Sequence, residues 1–291
     1  MNNISSSLKN KLIELTKLKK KVLLVVGEKS FKILDSNFSL KKVLAEGGDY
    51  RIVYKNKDLI SKNDIYNYSL GLDLFLPEII IGLGGGSVID LAKLLIYYNY
   101  LKFRSQFKFI AIPTTCGSGS ESTNFAVIYE KGIKTSIKSN LIATDKIVHD
   151  PIGLKFLSKK ALWSSIADSF CQSIESLWSI NANNLSKDHA VKSIKLIVKS
   201  IQNPENPDLK KLLEASYHSG CAINISNSHF SNEYALNCST FASSNLVLIV
   251  INNSTISCIV FKLLLICNPK SNLIKFILFN KDHPIKIAHI E

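Results

Sequence analysis

Glu78-Ile79-Ile80-Ile81-Gly82-Leu83-Gly84-Gly85-Gly86-Ser87-Val88-Ile89-Asp90-Leu91-Ala92-Lys93 joins three local signals in sixteen residues. A short apolar run rich in β-branched side chains reads as a buried strand. Val88, Ile89, Leu91, Ala92, Leu94 and Leu95 then recur at the spacing of the buried side of a helix. Between the two lie Gly84, Gly85 and Gly86, which let backbone N–H groups come close to an anion. The helix that follows presents its positive end to the same place. Strand, glycine turn and helix in this order point to an α/β fold with a phosphate cradle, and a dinucleotide pyrophosphate would satisfy the loop.

A second loop, Pro113-Thr114-Thr115-Cys116-Gly117-Ser118-Gly119-Ser120-Glu121, follows the apolar run Phe109 to Ile112. Its hydroxyls at Thr114, Thr115, Ser118 and Ser120 could close over the same ligand. Neither loop is the usual dinucleotide fingerprint, and each alone is equally readable as a tight connection between strand and helix. Two of them in order, each after a strand, favour the clamp.

Outward from these loops the alternation continues. Lys21 to Val26, Arg51 to Lys55, Lys108 to Ile112 and Lys146 to His149 read as further short strands, with a turn at Gly27 to Ser30. The pattern predicts a mostly parallel sheet covered by helices. Phe125 to Glu130 and Ile133 to Ile137, joined by Lys131-Gly132, predict a hairpin. After Asp150-Pro151 the period becomes helical: Ala161 to Ile180, Ser186 to Ile201 with Ser186 as N-cap, and Asp208 to Ile225. The expected organisation is an α/β dinucleotide-binding domain over 1–150, a helical metal and substrate domain over 151–245, and a divergent apolar tail over 246–291.

Composition bounds the function. With 291 residues and 46% hydrophobic content the chain can build one large or two ordinary cores. Its formal charge of +13 is carried almost wholly by lysine, with arginine only at Arg51 and Arg104. Arginine is the preferred reader of bases and phosphates, so a dedicated nucleic-acid role is not expected. The six cysteines form no CxxC pair and the N-terminus carries no apolar leader, so a reducing cytoplasm is the expected setting. Leu246 to Cys267 approaches the length of a membrane span. Asn252 to Thr255 and Lys262 interrupt it, which makes a membrane anchor the least favoured reading.

Asp168 and Gln172, four residues apart, share one face of the first helix of the second part, and Glu175 continues that face. Such a pair can hold a divalent cation, with Glu175 orienting a ligand. The same face can equally be solvated surface.

The segments GLGGGSVIDLAK, PTTCGSGSE, the Lys134 region, His149-Asp150-Pro151 and ADSFCQSIESLWS stand in the order seen in the iron-containing, group III, alcohol dehydrogenases, which the chain resembles from about residue 20 to 226. In PTTCGSGSE, CQSIESLWS and Ala222 to Ser226 it is most similar to the branch that includes phosphonoacetaldehyde reductases. The resemblance implies a dehydroquinate synthase-like arrangement: a nucleotide-binding α/β domain, then an all-helical domain. NAD or NADP would lie in the cleft, with a divalent metal, Fe2+ or Zn2+, beneath the nicotinamide. It implies that Gly84, Gly85, Gly86, Ser87 and Asp90 form the pyrophosphate loop, that Thr114, Thr115 and Ser118 form the second nucleotide loop, and that Lys134 lies near the cofactor. Asp168 matches the first metal ligand, and Gln172 stands where the family commonly has histidine. The implied reaction interconverts a primary alcohol and an aldehyde, the metal polarising the substrate oxygen while hydride passes to or from the nicotinamide. A small-molecule alcohol or aldehyde is the expected partner, and a homodimer is an open expectation. Glu28, after the first strand, either accepts from a ribose hydroxyl and favours NAD or is a solvated turn residue.

Past Ser226 the likeness ends. The two further histidine ligands implied by the family have no counterpart: Tyr234 falls at one position, and His229, His283 and His289 lie outside the pattern. The expectation is a truncated chain. A frameshift near Asn245 to Leu248 is one route to it, because codons for those residues displaced by two bases can read Phe-Gly-Ile. An inactive nucleotide-binding remnant is the alternative to an active oxidoreductase.

Overall fold

The computed structural model describes residues 20–56, 59–104 and 106–226, isolated positions before residue 20, and the backbone of short strands between 246 and 290. Strands β1 (Val22–Gly27), β2 (Tyr50–Lys55), β3 (Ile79–Gly84), β4 (Lys108–Pro113) and β7 (Lys146–Ile147) form one sheet in the order β2-β1-β3-β4-β7. All neighbouring pairs are parallel. β3 is buried along its whole length, with Ile80 beside Leu23 and Phe109 in adjacent strands. A strand covered on both faces needs a continuous apolar run, and the three consecutive isoleucines supply it.

Helices cover both faces. Helix α1 (Glu28–Phe38) and α2 (Leu40–Gly47) pack Phe31, Leu34, Leu40, Val43 and Leu44 on one side. On the other, α3 (Lys62–Ser69), the short α4 (Leu72–Phe75) and α5 (Gly86–Phe103) enclose Leu23, Val25, Ile80 and Phe109. Ser61 and Asp64 start α3 with a reciprocal capping box. Helix α5 is buried from Val88 to Ile96 without a break, so it sits inside the protein and not on its surface. Asp90 and Lys93 are buried with it.

The predicted hairpin forms as β5 (Phe125–Glu130) and β6 (Ile133–Lys138), antiparallel, with Glu130 opposite Ile133. Lys131 and Gly132 both have positive φ, 51° and 80°, as a two-residue primed turn requires. After the one-turn helix α6 (Ile152–Lys155), helices α7 (Lys159–Trp178), α8 (Asn184–Ser200) and α9 (Leu209–Ser226) build a third cluster. Ile166, Phe170, Ile174, Ile194, Ile197, Leu212 and Leu213 fill it, joined by Cys116 from the second glycine loop.

Two expectations need correction. Gly27 to Ser30 is no free turn: β1 runs directly into α1, with Gly27 in extended conformation as N-cap and Glu28 already helical. Ser186 is not the N-cap of α8. Asn183 is, and Ser186 is its partner three residues on in a capping box, each side chain bonding the other's backbone N–H. In Leu246 to Cys267, where a membrane anchor is the least favoured reading, the described residues are strand. The segment holds β8 (Leu246–Ile251) and β9 (Ile259–Leu264), paired antiparallel, and the start of a second antiparallel set. Among the described residues no helix is long and apolar enough to cross a membrane. His229 and Tyr234 lie outside the described residues, as do the side chains of His283 and His289.

Candidate functional site

The strand order places β1 between β2 and β3, so the chain leaves β1 toward one side and returns to build the sheet on the other. In open parallel sheets ligands bind beyond the carboxyl ends of the strands at such a reversal. Here that crevice lies where β1 gives way to α1 and β3 to α5, and it contains Gly84, Gly85 and Gly86. Gly85 is the N-cap of α5 and no side chain caps that helix end. The N–H groups of Gly86 and Ser87 therefore have no intrahelical acceptor. Gly85 and Gly86 are half-buried and Ser87 is exposed, so the positive end of the helix faces outward.

The structure brings the two glycine loops together. Thr114 N–H donates to the Gly84 carbonyl at 2.9 Å. Thr115 packs against Gly85, and Ser118 against Gly86 so closely that a β-carbon on Gly86 would sit 2.8 Å from the Ser118 β-carbon. Ser120 Oγ and backbone N–H both donate to Ser118 Oγ, at 3.0 and 3.3 Å. The two loops form one surface at the mouth of the sheet, with Thr114 buried and Thr115 and Ser118 half-buried.

Asp90 occupies a different place from the loop residues around it. It is buried in α5 and accepts from Val127 N–H at 3.3 Å and from Ser120. Burial raises its carboxyl to about 6 against the pull of Lys93. Its visible contacts tie α5 to the hairpin. Lys134 stands exposed on β6 opposite Tyr129, and its positive charge favours ionisation of Asp90, Asp168 and Glu175. Glu28 accepts from Lys32 Nζ at 2.7 Å one turn along α1.

On α7, Asp168 and Glu175 are half-buried acids whose carboxyls are pushed up by burial, Asp168 to about 6 and Glu175 to about 7, with the Asp168 charge raising Glu175 further. Asp168 faces the second glycine loop: its Oδ2 would lie 2.9 Å from a β-carbon on Gly117. Gln172 Oε1 accepts from Ser219 Oγ of α9 at 3.3 Å. Among the described residues no group of three or more histidine, cysteine or acidic side chains could hold a metal ion. Asp168 and Gln172 supply two donors and no closed set, so the described residues do not by themselves fit a resident metal.

Sequence reasoning missed the groups that hold this site in shape. Lys93, fully buried, donates from Nζ to the carbonyls of Ser120 at 2.5 Å, Thr123 at 2.7 Å and Phe125 at 3.0 Å, and to Thr123 Oγ1 at 2.8 Å. Burial lowers its ammonium to about 8 against the support of Asp90 and Glu121. The signal was present: an Asp and a Lys three apart in an otherwise apolar helix must satisfy each other or the backbone. Glu121 is 2% exposed, with Oε1 3.6 Å from His149 Nε2. Cys116 is buried and its thiol is pushed up to about 12 by desolvation, which removes it as a thiolate nucleophile at neutral pH.

The loop is stitched to the helical cluster as firmly as to the sheet. Gly119 N–H donates to Ser216 Oγ at 3.2 Å, Ser122 Oγ to the Tyr217 carbonyl at 2.9 Å, and Asn124 N–H to Asn224 Oδ1 at 3.1 Å. Helix α9 therefore fixes the second glycine loop, and through it the spacing between the open end of α5 and Asp168 on α7.

An open parallel sheet with an uncapped helix end at its reversal point, passing into a helical cluster that carries buried acids, defines an α/β protein with an attached helical unit. Residues 5–151 match the profile of the iron-containing alcohol dehydrogenase family, and the chain belongs to that family. An alcohol dehydrogenase of Thermococcus barophilus is 34% identical over 154 residues, 45% of this chain and 41% of that protein. The crystal structure of an iron-containing alcohol dehydrogenase from Thermococcus thioreducens superposes with a TM-score of 0.64 at 24% identity, covering 76% of this chain and 63% of that one. Sulfoacetaldehyde reductase from Bifidobacterium kashiwanohense, solved in complex with NAD+, gives 0.64 at 21% identity, covering 78% and 64%. These two likenesses establish the fold. The chain spans less than half the length of the curated relatives it matches.

Proposed function

We propose that the chain is a dinucleotide-binding oxidoreductase unit acting between an alcohol and an aldehyde. The observation that carries this reading is the open N-terminus of α5 at the sheet's reversal point, joined to the second loop by the Thr114 to Gly84 hydrogen bond. Gly84, Gly85, Gly86 and Ser87 offer the cradle for the pyrophosphate of NAD or NADP, with backbone N–H groups and the helix end as donors. Thr114, Thr115 and Ser118 close it from the other side, while Asp90 and Lys93 hold the two walls together. We take residues 1–150 as the nucleotide-binding unit and the helices after it as the start of the substrate unit.

The bound nicotinamide supplies hydride transfer. Asp168 and Glu175 line the substrate side, with Lys134 balancing their charge. Asp168 and Gln172 remain proposed metal donors, but no step is assigned to a metal, because the described residues do not complete its coordination. The named relatives act on alcohols or aldehydes of different sizes, among them 1-propanol and 4-hydroxybutyrate dehydrogenases. The phosphonoacetaldehyde-type branch is retained as the substrate proposal on the sequence likeness.

Titration of the full chain with NADH and NADPH, followed by nicotinamide fluorescence, tests the reading. Binding of either one, lost in Gly85→Val, is the expected result. No binding of either dinucleotide to the folded wild-type chain would sink the proposal. Binding without turnover on any short primary alcohol or aldehyde would leave the inactive remnant as the better description.

A further inference from the structure

Glu121 and His149 make a polar contact that the glycine cradle does not use. Glu121 Oε1 and His149 Nε2 stand 3.6 Å apart, both sealed from solvent and without a hydrogen-bond partner among the described residues. The separation exceeds a formed hydrogen bond by a few tenths of an ångström. Two buried polar groups left unsatisfied are costly, and a proton on Nε2 directed at Oε1 relieves both. A neutral ring with Nε2 so committed carries its lone pair on Nδ1. Since Nε2 is sealed, the 29% of the side chain that solvent reaches lies on the remainder of the residue, where Nδ1 stands. Register puts this ring at the mouth of the sheet. Gly84 pairs with Pro113, and Ala111 with Ile147. Two residues further along the same ladder, His149 comes level with Pro113 and Gly84. Neighbouring strands lie about 4.8 Å apart, so its backbone stands about 10 Å from Gly84 across β4. Tyr217 of α9 meets the imidazole edge-on, with centroids 5.8 Å apart. The second loop, the end of β7 and helix α9 therefore converge on one ring.

Resting on the dinucleotide reading of the crevice, we propose that His149 is a further binding residue for that ligand, its Nδ1 accepting a hydrogen bond from a ribose hydroxyl. Glu121 is the positioning residue behind it. A pyrophosphate held at Gly84 to Gly86 sends one nucleoside to each side of the cradle, and the one that lies over β4 and β7 passes the rung on which His149 stands. Both nucleosides of a dinucleotide carry sugar hydroxyls, and a hydroxyl donates to an imidazole lone pair. The N–H groups of the cradle serve the phosphate oxygens, which only accept, so the sugar needs a partner of the opposite kind. Glu121 selects the tautomer and holds the ring plane, as a buried carboxyl group does wherever an imidazole must present one nitrogen outward. No proton is transferred, and the contact contributes to binding alone.

The test titrates the full chain at pH 8 with ADP and with whichever of NADH and NADPH wild type binds more tightly. In His149→Gln the amide reaches Glu121 in place of Nε2 and nothing replaces Nδ1. That variant should keep its fold and lose about three- to tenfold in dinucleotide affinity, the net worth of one hydrogen bond. An equal loss for ADP puts the hydroxyl on the adenosine half, and a loss confined to the dinucleotide puts it on the nicotinamide half; both results support the proposal. Nitrogen-15 NMR of the imidazole should show the proton on Nε2 in wild type and mixed tautomers in Glu121→Gln, with dinucleotide affinity reduced in step. A glutamate with a merely structural role would leave the tautomer unchanged. Should His149→Gln fail to fold by circular dichroism, the wild-type Nδ1 resonance decides: it should shift on saturation with the dinucleotide, and an unmoved resonance would overturn the proposal. Wild type that binds while folded His149→Gln binds equally well overturns this contact alone. Wild type that binds neither NADH nor NADPH overturns the dinucleotide reading together with it.

Discussion

Lys93 Nζ lies 2.7 Å from the carbonyl oxygen of Thr123, joining the middle of the central helix to the end of the second glycine loop. The same ammonium reaches the carbonyls of Ser120 and Phe125, so one charge on α5 fixes three successive points of the chain that faces the open helix end. The open end of the helix and its facing loop are held at a set distance by this contact, which lies beneath the site.

Replacing Lys93 by Met should therefore do more than remove a charge. Three carbonyls lose their shared donor and Asp90 loses the nearby positive charge that favours its ionisation, and leaving a buried polar group unsatisfied costs about 1–3 kcal/mol. Urea unfolding should show a loss of that order, and dinucleotide binding should weaken because the loop is released. A loss under about 1 kcal/mol would show that solvent or rearrangement replaces the ammonium.

Gly119 and Gly220 cross with no room for a side chain on either. Gly119 has φ of 58°, and a β-carbon there would lie 2.7 Å from the Gly220 α-carbon. On Gly220 a β-carbon would meet the Ser122 hydroxyl and come 2.9 Å from the Gly119 carbonyl carbon. Within a helix alanine is ordinarily the better residue by about 1 kcal/mol. Gly220→Ala should reverse that preference and destabilise by roughly 1–3 kcal/mol, as overpacking does. A gain in thermal midpoint would show that α9 can slide away from the loop.

These cases mark what the sequence could and could not disclose. The sheet was legible because Ile79, Ile80 and Ile81, Phe109 to Ile112 and Leu23 to Val26 are apolar runs each ended by glycine or proline, and local pattern suffices for buried parallel strands. Lys131-Gly132 named its hairpin for a similarly local reason. Ser186 misled because Asn183 and Ser186 both carry capping groups, and only geometry tells the first from its reciprocal partner. Gly220 and Ser216 were silent, since their roles arise from contacts with Gly119 about a hundred residues away along the chain, and Glu121 was silent because its partner His149 stands on a different element. Asp90 was read with the phosphate loop by its position in a motif, whereas its bonds to Val127 and Ser120 turn it inward.

The pairing of His189 on α8 with His218 on α9, their Nδ1 atoms 2.7 Å apart, gives stability a pH dependence. Burial lowers His218 from its ordinary 6.5 to about 4, and lowers His189 as well. Between those values the unfolded chain binds more protons than the folded one, so this contribution is intact above about 6.5 and is lost as pH falls toward 4. Asp90, Asp168 and Glu175 act in the opposite sense, because their folded values are raised to about 6, 6 and 7. Comparison with His218→Gln separates the two. The stability advantage of wild type over that variant should shrink by about 3 kcal/mol between pH 7.5 and pH 4. A constant difference across that range would mean that the ring titrates freely in the folded protein.

Asp168 shows the reverse sign and ties it to function. Its carboxyl ionises at about 6 against an ordinary 3.8, so the folded protein bears a penalty for the charged form at neutral pH, present above about 6 and absent below about 4. Asp168→Asn removes that penalty and keeps the shape. In urea unfolding at pH 8 the variant should be more stable than wild type by up to about 3 kcal/mol, and at pH 4 the gain should vanish. Turnover should fall more than dinucleotide affinity, because the side chain faces Gly117 of the second loop from α7 and lies away from the Gly84 to Ser87 turn. Should Asp168→Asn prove less stable at pH 8 and fully active, the acid would be a structural anchor for Gly117, and the substrate side of the cleft would have to be sought elsewhere on α7.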